Sequence, residues 1–327
     1  MRKFIFLGVL VLAGILVILS FSELKGIAET LQKADLRYLA LAFLLQGLWF
    51  FGVALALRSL YGLMNLEEGL PHLALLATAV NFINIVAPSV GVGGFAALID
   101  DARRRGHSHG RVVAAAALYV FLDYITFIIV LALGLMILFR HNTLSGATII
   151  PTFILLATVI FAGWLLYTGA RSPSALGSTL ARIAARINKL LRRDYFHEER
   201  AYLFAVEISD GLSILREEYP RLLIPMLYLG LNRVVQILIL MMAFLSFDVA
   251  FTGGTLIGGY AIGYLVAIVS PTPSGVGFVE GAFPVVLASL GVPLSQGIIV
   301  TLTFRAVTFW FPLGLGAITF RFLSRND

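Results

Sequence analysis

Four ionisable residues, Asp123, Arg233, Glu280 and Arg305, sit deep inside long apolar runs. None of the other charged residues, drawn from 24 Lys and Arg and 18 Asp and Glu, lies as deep. A lone charge at the centre of a membrane helix costs at least ~2.5–3.5 kcal/mol on insertion scales. These four are therefore expected to turn inward and pair. Glu280 with Arg305 is the first pairing the residue types suggest, and Asp123 with either arginine is the second. Asn81, Asn84, Asn232 and Gln236 add polar groups to apolar segments that otherwise need none. Two kinds of chemistry fit this set. A guanidinium could receive an anionic headgroup, or the pairs could only fix helix packing. Acid–base catalysis by Asp123 and Glu280 is a third reading. It lacks support, because no nucleophile stands with a base, the apolar spans hold no histidine, and the two acids belong to separate regions. The expectation is a protein that is not an enzyme.

The elements that carry these residues follow from composition. The 327 residues are 59% hydrophobic and 13% charged, with a mean hydropathy of +0.94. Soluble domains carry about 25% charged residues, so most of this chain has lipid as its solvent. Backbone polarity then allows helices or a closed barrel, and the long unbroken apolar runs select helices. The absence of cysteine removes disulfides and thiolate chemistry. The five histidines show no metal-ligand spacing, and His107 and His109 are expected to be solvated in a polar loop over 100–111. Neither a metal nor a cofactor is expected. A net charge of +6 reads as orientation and headgroup contact, with no nucleic acid implied.

Full spans are expected at 4–21, 37–57, 112–139, 149–168, 222–247 and 298–320. The first follows Arg2 and Lys3, is longer than a signal-peptide core and has no A-x-A site after it, so it reads as an uncleaved helix. Two regions, 72–99 and 255–290, are interrupted by proline and glycine at 87–94 and 270–277. Such breaks at membrane depth are tolerated only inside protein or beside a wet cavity. If each region is a hairpin returning to its own side, the inner segments hold eighteen Lys and Arg and the outer ones four: Lys25, Lys33, Arg37 and Arg140. The positive-inside rule favours that topology. The expected fold is thus an all-α polytopic membrane protein with six full spans and two re-entrant helical hairpins. It forms one domain over 1–327, lies in the cell membrane and keeps both termini cytoplasmic. The hydrophilic connector 171–221 holds nine basic and seven acidic residues, with Ile183, Ile187, Leu190 and Leu191 at helical spacing beside Arg182, Arg186, Lys189, Arg192 and Arg193. It fits a basic amphipathic interfacial helix or a solvated connector equally well.

The two breaks resemble each other. Pro88-Ser89-x-Gly91-Val92-Gly93-x-Phe95 and Pro273-Ser274-Gly275-Val276-Gly277-Phe278 share their order. Asp123 follows Pro88 by 35 residues, and Arg305 follows Pro271 by 34. With opposite entry directions this is an inverted repeat, halves about 72–168 and 222–322, of the sort that places a substrate near the midplane. Exposed amides at the breaks would add donors for a phosphate. The residues expected to bind substrate are Asn84, Pro88, Gly91, Gly93, Asp123, Arg233, Pro271, Pro273, Gly275, Gly277, Glu280 and Arg305.

At these residues the chain resembles the flippase-like, lysylphosphatidylglycerol synthase transmembrane family. The likeness rests on Asn84-x-x-x-Pro88 with its glycines, the loop from Asp101 to Gly106, Asp123, the run Pro271-x-Pro273-x-Gly275-x-Gly277-x-x-Glu280, and Arg305 before Pro312. It spans essentially the whole chain. It implies a membrane domain that moves aminoacylated phospholipids or polyprenyl-linked sugars between leaflets. Where many relatives carry charged residues, this chain has Gly93, Gly94, Phe95, Val120 and Phe121, so their substrate chemistry does not carry over. These 327 residues are not expected to include the aminoacyl-transferase domain of the synthases or to make lysylphosphatidylglycerol themselves. The leading expectation is a lipid flippase that binds anionic or lipid-linked membrane lipids. The alternative is a non-enzymatic membrane partner of a lipid- or glycan-modifying enzyme, docked through 171–221.

Overall fold

The computed structural model describes residues 29–86, 92–191, 197–270 and 272–325, and these are helical with short turns. In chain order the helices are α1 Leu36–Leu63, α2 Leu70–Val86, α3 Val92–Arg105, α4 His109–Arg140, α5 Gly146–Arg171, α6 Pro173–Leu191 and α7 Glu198–Ser213. After two short turns come α8 Leu223–Leu245, α9 Gly253–Val269, α10 Phe278–Ser289, α11 Leu294–Arg305 and α12 Phe311–Arg325. A wide turn, Ala306–Trp310, joins α11 to α12, with the Phe311 N–H reaching back to the Ala306 carbonyl.

Five helical stretches among the described residues are long and apolar enough to cross a membrane: Leu36–Leu63, His109–Arg140, Thr148–Arg171, Glu199–Leu245 and Leu294–Thr319. They overlap the expected spans from 37–57 onward, and the expected span 4–21 lies outside the described residues. Large apolar side chains cover their outer faces, with Leu44, Phe153, Ile160, Phe161 and Leu231 all exposed. In water such a surface would aggregate, whereas in lipid it is the solvated state. Three apolar helices are shorter: Leu70–Val86, Gly253–Val269 and Phe278–Ser289. At 1.5 Å per residue the longest of them reaches only ~25 Å, less than a bilayer core of ~30 Å.

Packing begins at the helix ends. Asp35 caps α1 by accepting from Arg37 N at 2.9 Å, while its own N–H donates to Ser246 O at the end of α8 at 2.8 Å. That contact pins α1 against α8 in antiparallel order. Gly52 lets them close up, since a Cβ there would stand 2.0 Å from Asn232 Oδ1. Gly316 of α12 does the same against α2, where a Cβ would meet Phe82 Cβ at 2.4 Å. Lipid offers no hydrophobic drive to bring helices together, so small residues at crossings let dispersion contacts do it. One core gathers Leu60, Met64, Leu73, Leu98, Val112 and Ala115 from α1 to α4. A second gathers Phe244, Tyr260, Phe283, Leu287 and Val300 from α8 to α11. Phe127 and Leu131 of α4 join Ala261 and Leu265 of α9 in a third.

The expected polar loop over 100–111 is largely helix. α3 runs to Arg105 and α4 starts at His109, leaving a turn of three residues. Its charges are organised around a carboxylate. Glu68, its side chain only 4% exposed, accepts from Arg105 Nη1 at 3.2 and 3.0 Å and lies 2.8 Å from His107 Nε2. Arg105 Nη2 lies 2.9 Å from His72 Nδ1. A guanidinium can only donate, so Nδ1 accepts and the His72 proton sits on Nε2. From there it is donated to Asp101 Oδ2 at 3.0 Å. His107 is therefore a bonded side chain, contrary to the solvated one expected, because Glu68 lies 39 residues away in sequence. Glu68→Ala should strand these donors and cost about 2 kcal/mol, lowering the melting temperature in detergent by several degrees. An unchanged melting curve would mean the network holds nothing together.

Candidate functional site

Arg233 projects from α8 onto α4. Its Nη2 lies 2.6 Å from Asp123 Oδ2 and also donates to the Asp123 carbonyl at 3.0 Å. Nη1 donates to Tyr260 OH at 3.2 Å. The guanidinium stands over the Tyr264 ring at 4.6 Å and the Phe127 ring at 5.4 Å. Two aromatic faces and a phenol thus stand in for water around a cation whose side chain is 6% exposed. Asp123, at 22%, is the more open partner. Nε of Arg233 is buried and meets no acceptor among the described residues.

The second pair forms at the other break. Arg305 Nε donates to Glu280 Oε1, and the guanidinium lies 4.1 Å from the Phe309 ring centroid one turn on. Glu280 also caps its own helix, with Oε2 accepting from Gly277 N at 2.7 Å. Side-chain exposure is 7% for Arg305 and 12% for Glu280. Nη2 of Arg305 is buried and without a hydrogen-bond partner among the described residues, as are Gln46 Oε1, Asn232 Nδ2 and Thr303 Oγ1.

The turn before Glu280 is built from left-handed backbone. Ser274, Gly275 and Gly277 have φ of 50°, 75° and 81°. A Cβ on Gly275 would lie 2.6 Å from Val279 Cγ2 and 2.9 Å from Ala267 Cα, so α9 and α10 meet there at backbone range. Thr272 Oγ1 donates to the Val276 carbonyl at 2.7 Å, and Thr272 N donates to Ser270 Oγ at 3.2 Å. The side chains of Ser270 and Thr272 thus bond backbone that the helices have released.

At the first break, Pro88 and Gly91 lie outside the described residues, as does Pro271 at the second. Helix α3 already includes Gly93 and Gly94, so the described helix resumes inside the interruption expected over 87–94. The N–H of Gly94 donates to Asn84 Oδ1 at 3.0 Å, bonding the last turn of α2 to the first turn of α3. Of the amides expected to be open, those of Gly94 and Gly277 are taken by the protein's own side chains, and those of residues 87–91 lie outside the described residues. Helix N-termini carry orphan donors, and a nearby carboxylate or carboxamide claims them first.

The described flanks of the two breaks come together. Val276 packs against the cluster of Phe82, Ile83, Ile85, Val86, Phe309 and Leu313, which joins the end of α2, the second break and the aromatic support of Arg305. Beside it a cavity of about 140 Å³ opens between α1, α2, α3 and α4. Its wall is mostly apolar, from Trp49, Phe50 and Leu98, with Asn81, Asn84 and Tyr119 as the polar residues and no charged one among the described residues. Tyr119 sits one helical turn before Asp123 on α4, so the cavity wall and the first ion pair share that stretch of helix.

The geometry gathers Asn84, Gly93, Asp123, Arg233, Pro273, Gly275, Gly277, Glu280 and Arg305 at two breaks and two charge pairs. Sequence reasoning missed Tyr260, Tyr264 and Phe127, because aromatic residues are common in membrane helices and carry no signal of a cation above them. Gln46 was missed too, though a lone carboxamide in the apolar run of α1 was a readable mark. No group of three or more His, Asp or Glu among the described residues could hold a metal.

A family model for the lysylphosphatidylglycerol synthase TM region matches residues 5–316. The chain belongs to that family. It is a multi-pass helical membrane protein matched over the membrane region of the synthases. A comparison with curated proteins found no match. As a member of the lysylphosphatidylglycerol synthase TM-region family it carries its two ion pairs at the motifs by which the sequence resembles that family, after Pro88 and around Pro271 to Glu280.

Proposed function

We propose that this protein is a flippase-like lipid transporter, which binds a membrane lipid between its two breaks and carries the headgroup between leaflets. The observation that carries the reading is a pair of buried guanidinium nitrogens, Arg233 Nε and Arg305 Nη2, that find no acceptor among the described residues. A buried donor without an acceptor costs ~1–3 kcal/mol, and native interiors keep few of them. Both belong to arginines already neutralised by a carboxylate, so packing alone has no use for the spare N–H. A phosphate or sugar oxygen of a lipid headgroup supplies the missing acceptor without displacing Asp123 or Glu280. The apolar slot beside Tyr119 gives an acyl or prenyl chain a place next to the first pair.

Helix lengths support the matching topology. α2 and α3, with 17 and 14 residues, and α9 and α10, with 17 and 12, suit re-entrant arms, and the Lys and Arg distribution puts both termini in the cytoplasm. The two hairpins then form an inverted repeat around a midplane site. The reading is non-enzymatic, since Asp123 and Glu280 are each engaged by an arginine and neither is set beside a nucleophile.

The test is translocation of a fluorescent-headgroup phospholipid in proteoliposomes. Arg305→Ala and Glu280→Gln should each slow translocation at least ~10-fold, the effect of losing roughly 1.4 kcal/mol of interaction with the headgroup, in protein that still elutes as a folded species. Equal rates for wild type and both variants would sink the proposal.

A further inference from the structure

The connector between α5 and α8 has no part in that site, and its outer helix has a surface of its own. α5 ends with Trp164 and Tyr167 exposed, and Arg171 lies over the Tyr167 ring at 4.7 Å. Aromatic rings with a basic neighbour mark the headgroup level of a membrane helix. A second such mark, exposed Tyr219 followed by Arg221, precedes α8. Helix α6 begins two residues after Arg171, so its first turn starts at that level.

Its own residues suit that level. On one side Leu176, Gly177 and Ala184 are buried, and a Cβ on Gly177 would stand 2.6 Å from the Tyr202 ring of α7. On the other side Arg182, Arg186 and Lys189 are exposed at spacings of four and three, one helical stripe, with exposed Ile187 next to it. No acidic residue occurs in α6. Among the described residues none of the three cations is ion-paired, and Arg182 Nε donates to the Ser178 carbonyl of its own helix at 3.0 Å. Three cations without an ion pair among the described residues, set beside an aliphatic side chain on a helix that starts at the membrane surface, are complementary to a negatively charged bilayer surface.

We infer that α6 is a surface anchor, which docks Arg182, Arg186 and Lys189 onto anionic phospholipid headgroups of the leaflet where α5 ends, with Ile187 dipping below them. The anchor is independent of the transport site. Its seat is firm, because α7, against which it packs, is bonded to the end of α5 by Ser209 Oγ to the Gly169 carbonyl. Arg216 donates to the carbonyls of Ala170 and Arg171 and closes the same joint.

The chain contains no cysteine, so Ile187→Cys gives one labelling position for an environment-sensitive fluorophore on the full-length protein. In nanodiscs of phosphatidylcholine alone the label should stay open to a soluble quencher. In nanodiscs containing phosphatidylglycerol it should shift to the blue, meet a lipid-borne quencher, and revert in high salt. Replacing Arg182, Arg186 and Lys189 by Gln should lower the docked-to-free ratio about fivefold for each charge removed. Arg182→Lys with Arg186→Lys should keep it, which separates charge from misfolding. A label that is shielded equally in both lipids, that ignores salt, or that stays wet throughout would overturn the proposal. So would shielding that appears only when other membrane proteins are added, since that would assign the face to a protein partner.

Discussion

Arg233→Ala should be the most damaging single exchange in the protein, costing about 3–5 kcal/mol of stability. It leaves the Asp123 carboxylate without its countercharge and the Tyr260 hydroxyl without its donor, and removes a cation from the faces of Tyr264 and Phe127. The measurement is thermal unfolding in detergent, read by size exclusion after heating. The informative partner is the double exchange Asp123→Leu with Arg233→Met. Replacing a buried pair by apolar residues of like volume is often neutral or stabilising, so the double variant should recover most of the lost stability. In the proposed mechanism it should still fail to translocate lipid. A double variant that is stable and transports at the native rate would reduce this pair to a packing device.

Gly275→Ala is expected to disrupt the second break, and Gly277→Ala should be far milder. Both positions are left-handed, with φ of 75° and 81°, so each exchange carries about 1–2 kcal/mol of backbone strain. Surroundings separate them. Around Gly277 a Cβ would meet nothing within 4 Å, whereas at Gly275 it would press on Ala267 Cα at 2.9 Å. Backbone cannot swing aside as a side chain can, so α9 and α10 would be levered apart and Glu280 drawn from Arg305. Transport should fall at least ~10-fold, an extra 1.4 kcal/mol beyond strain, for Gly275→Ala and change little for Gly277→Ala. Matching losses in the two variants would show that strain alone, and not the close approach, governs this turn.

The long helices were legible because lipid leaves the backbone one economical solution, and the expected spans from 37–57 onward each overlap a long apolar helix. The scarce charges were legible for the same reason. Which charge meets which was harder. Glu280 and Arg305 stand 25 residues apart within one region, and a Glu three residues after a glycine at a helix start is a readable cap. Asp123 and Arg233 are 110 residues apart, and nothing local to either names the other. The first break is shorter than the 87–94 that glycine as a helix breaker implies, since helix resumes at Val92. Gly94 is in fact helical and lacks a side chain for another purpose: a Cβ there would lie 2.5 Å from Asn84 Oδ1. The Glu68 network was hidden because His107 looks like any loop histidine until its acceptor is folded onto it.

The wide turn Ala306–Trp310 follows Arg305 directly. One α-helical residue corresponds to roughly 100° of rotation, so the extra residue gives the segments on its two sides different angular settings on one continuous rod. Such a bulge can be absorbed or passed along without severing the rod. The guanidinium that faces Glu280 could then be swivelled relative to α12, which stays docked on Phe82. A bearing of this kind would let the charge turn inside the bilayer while its scaffold stands still.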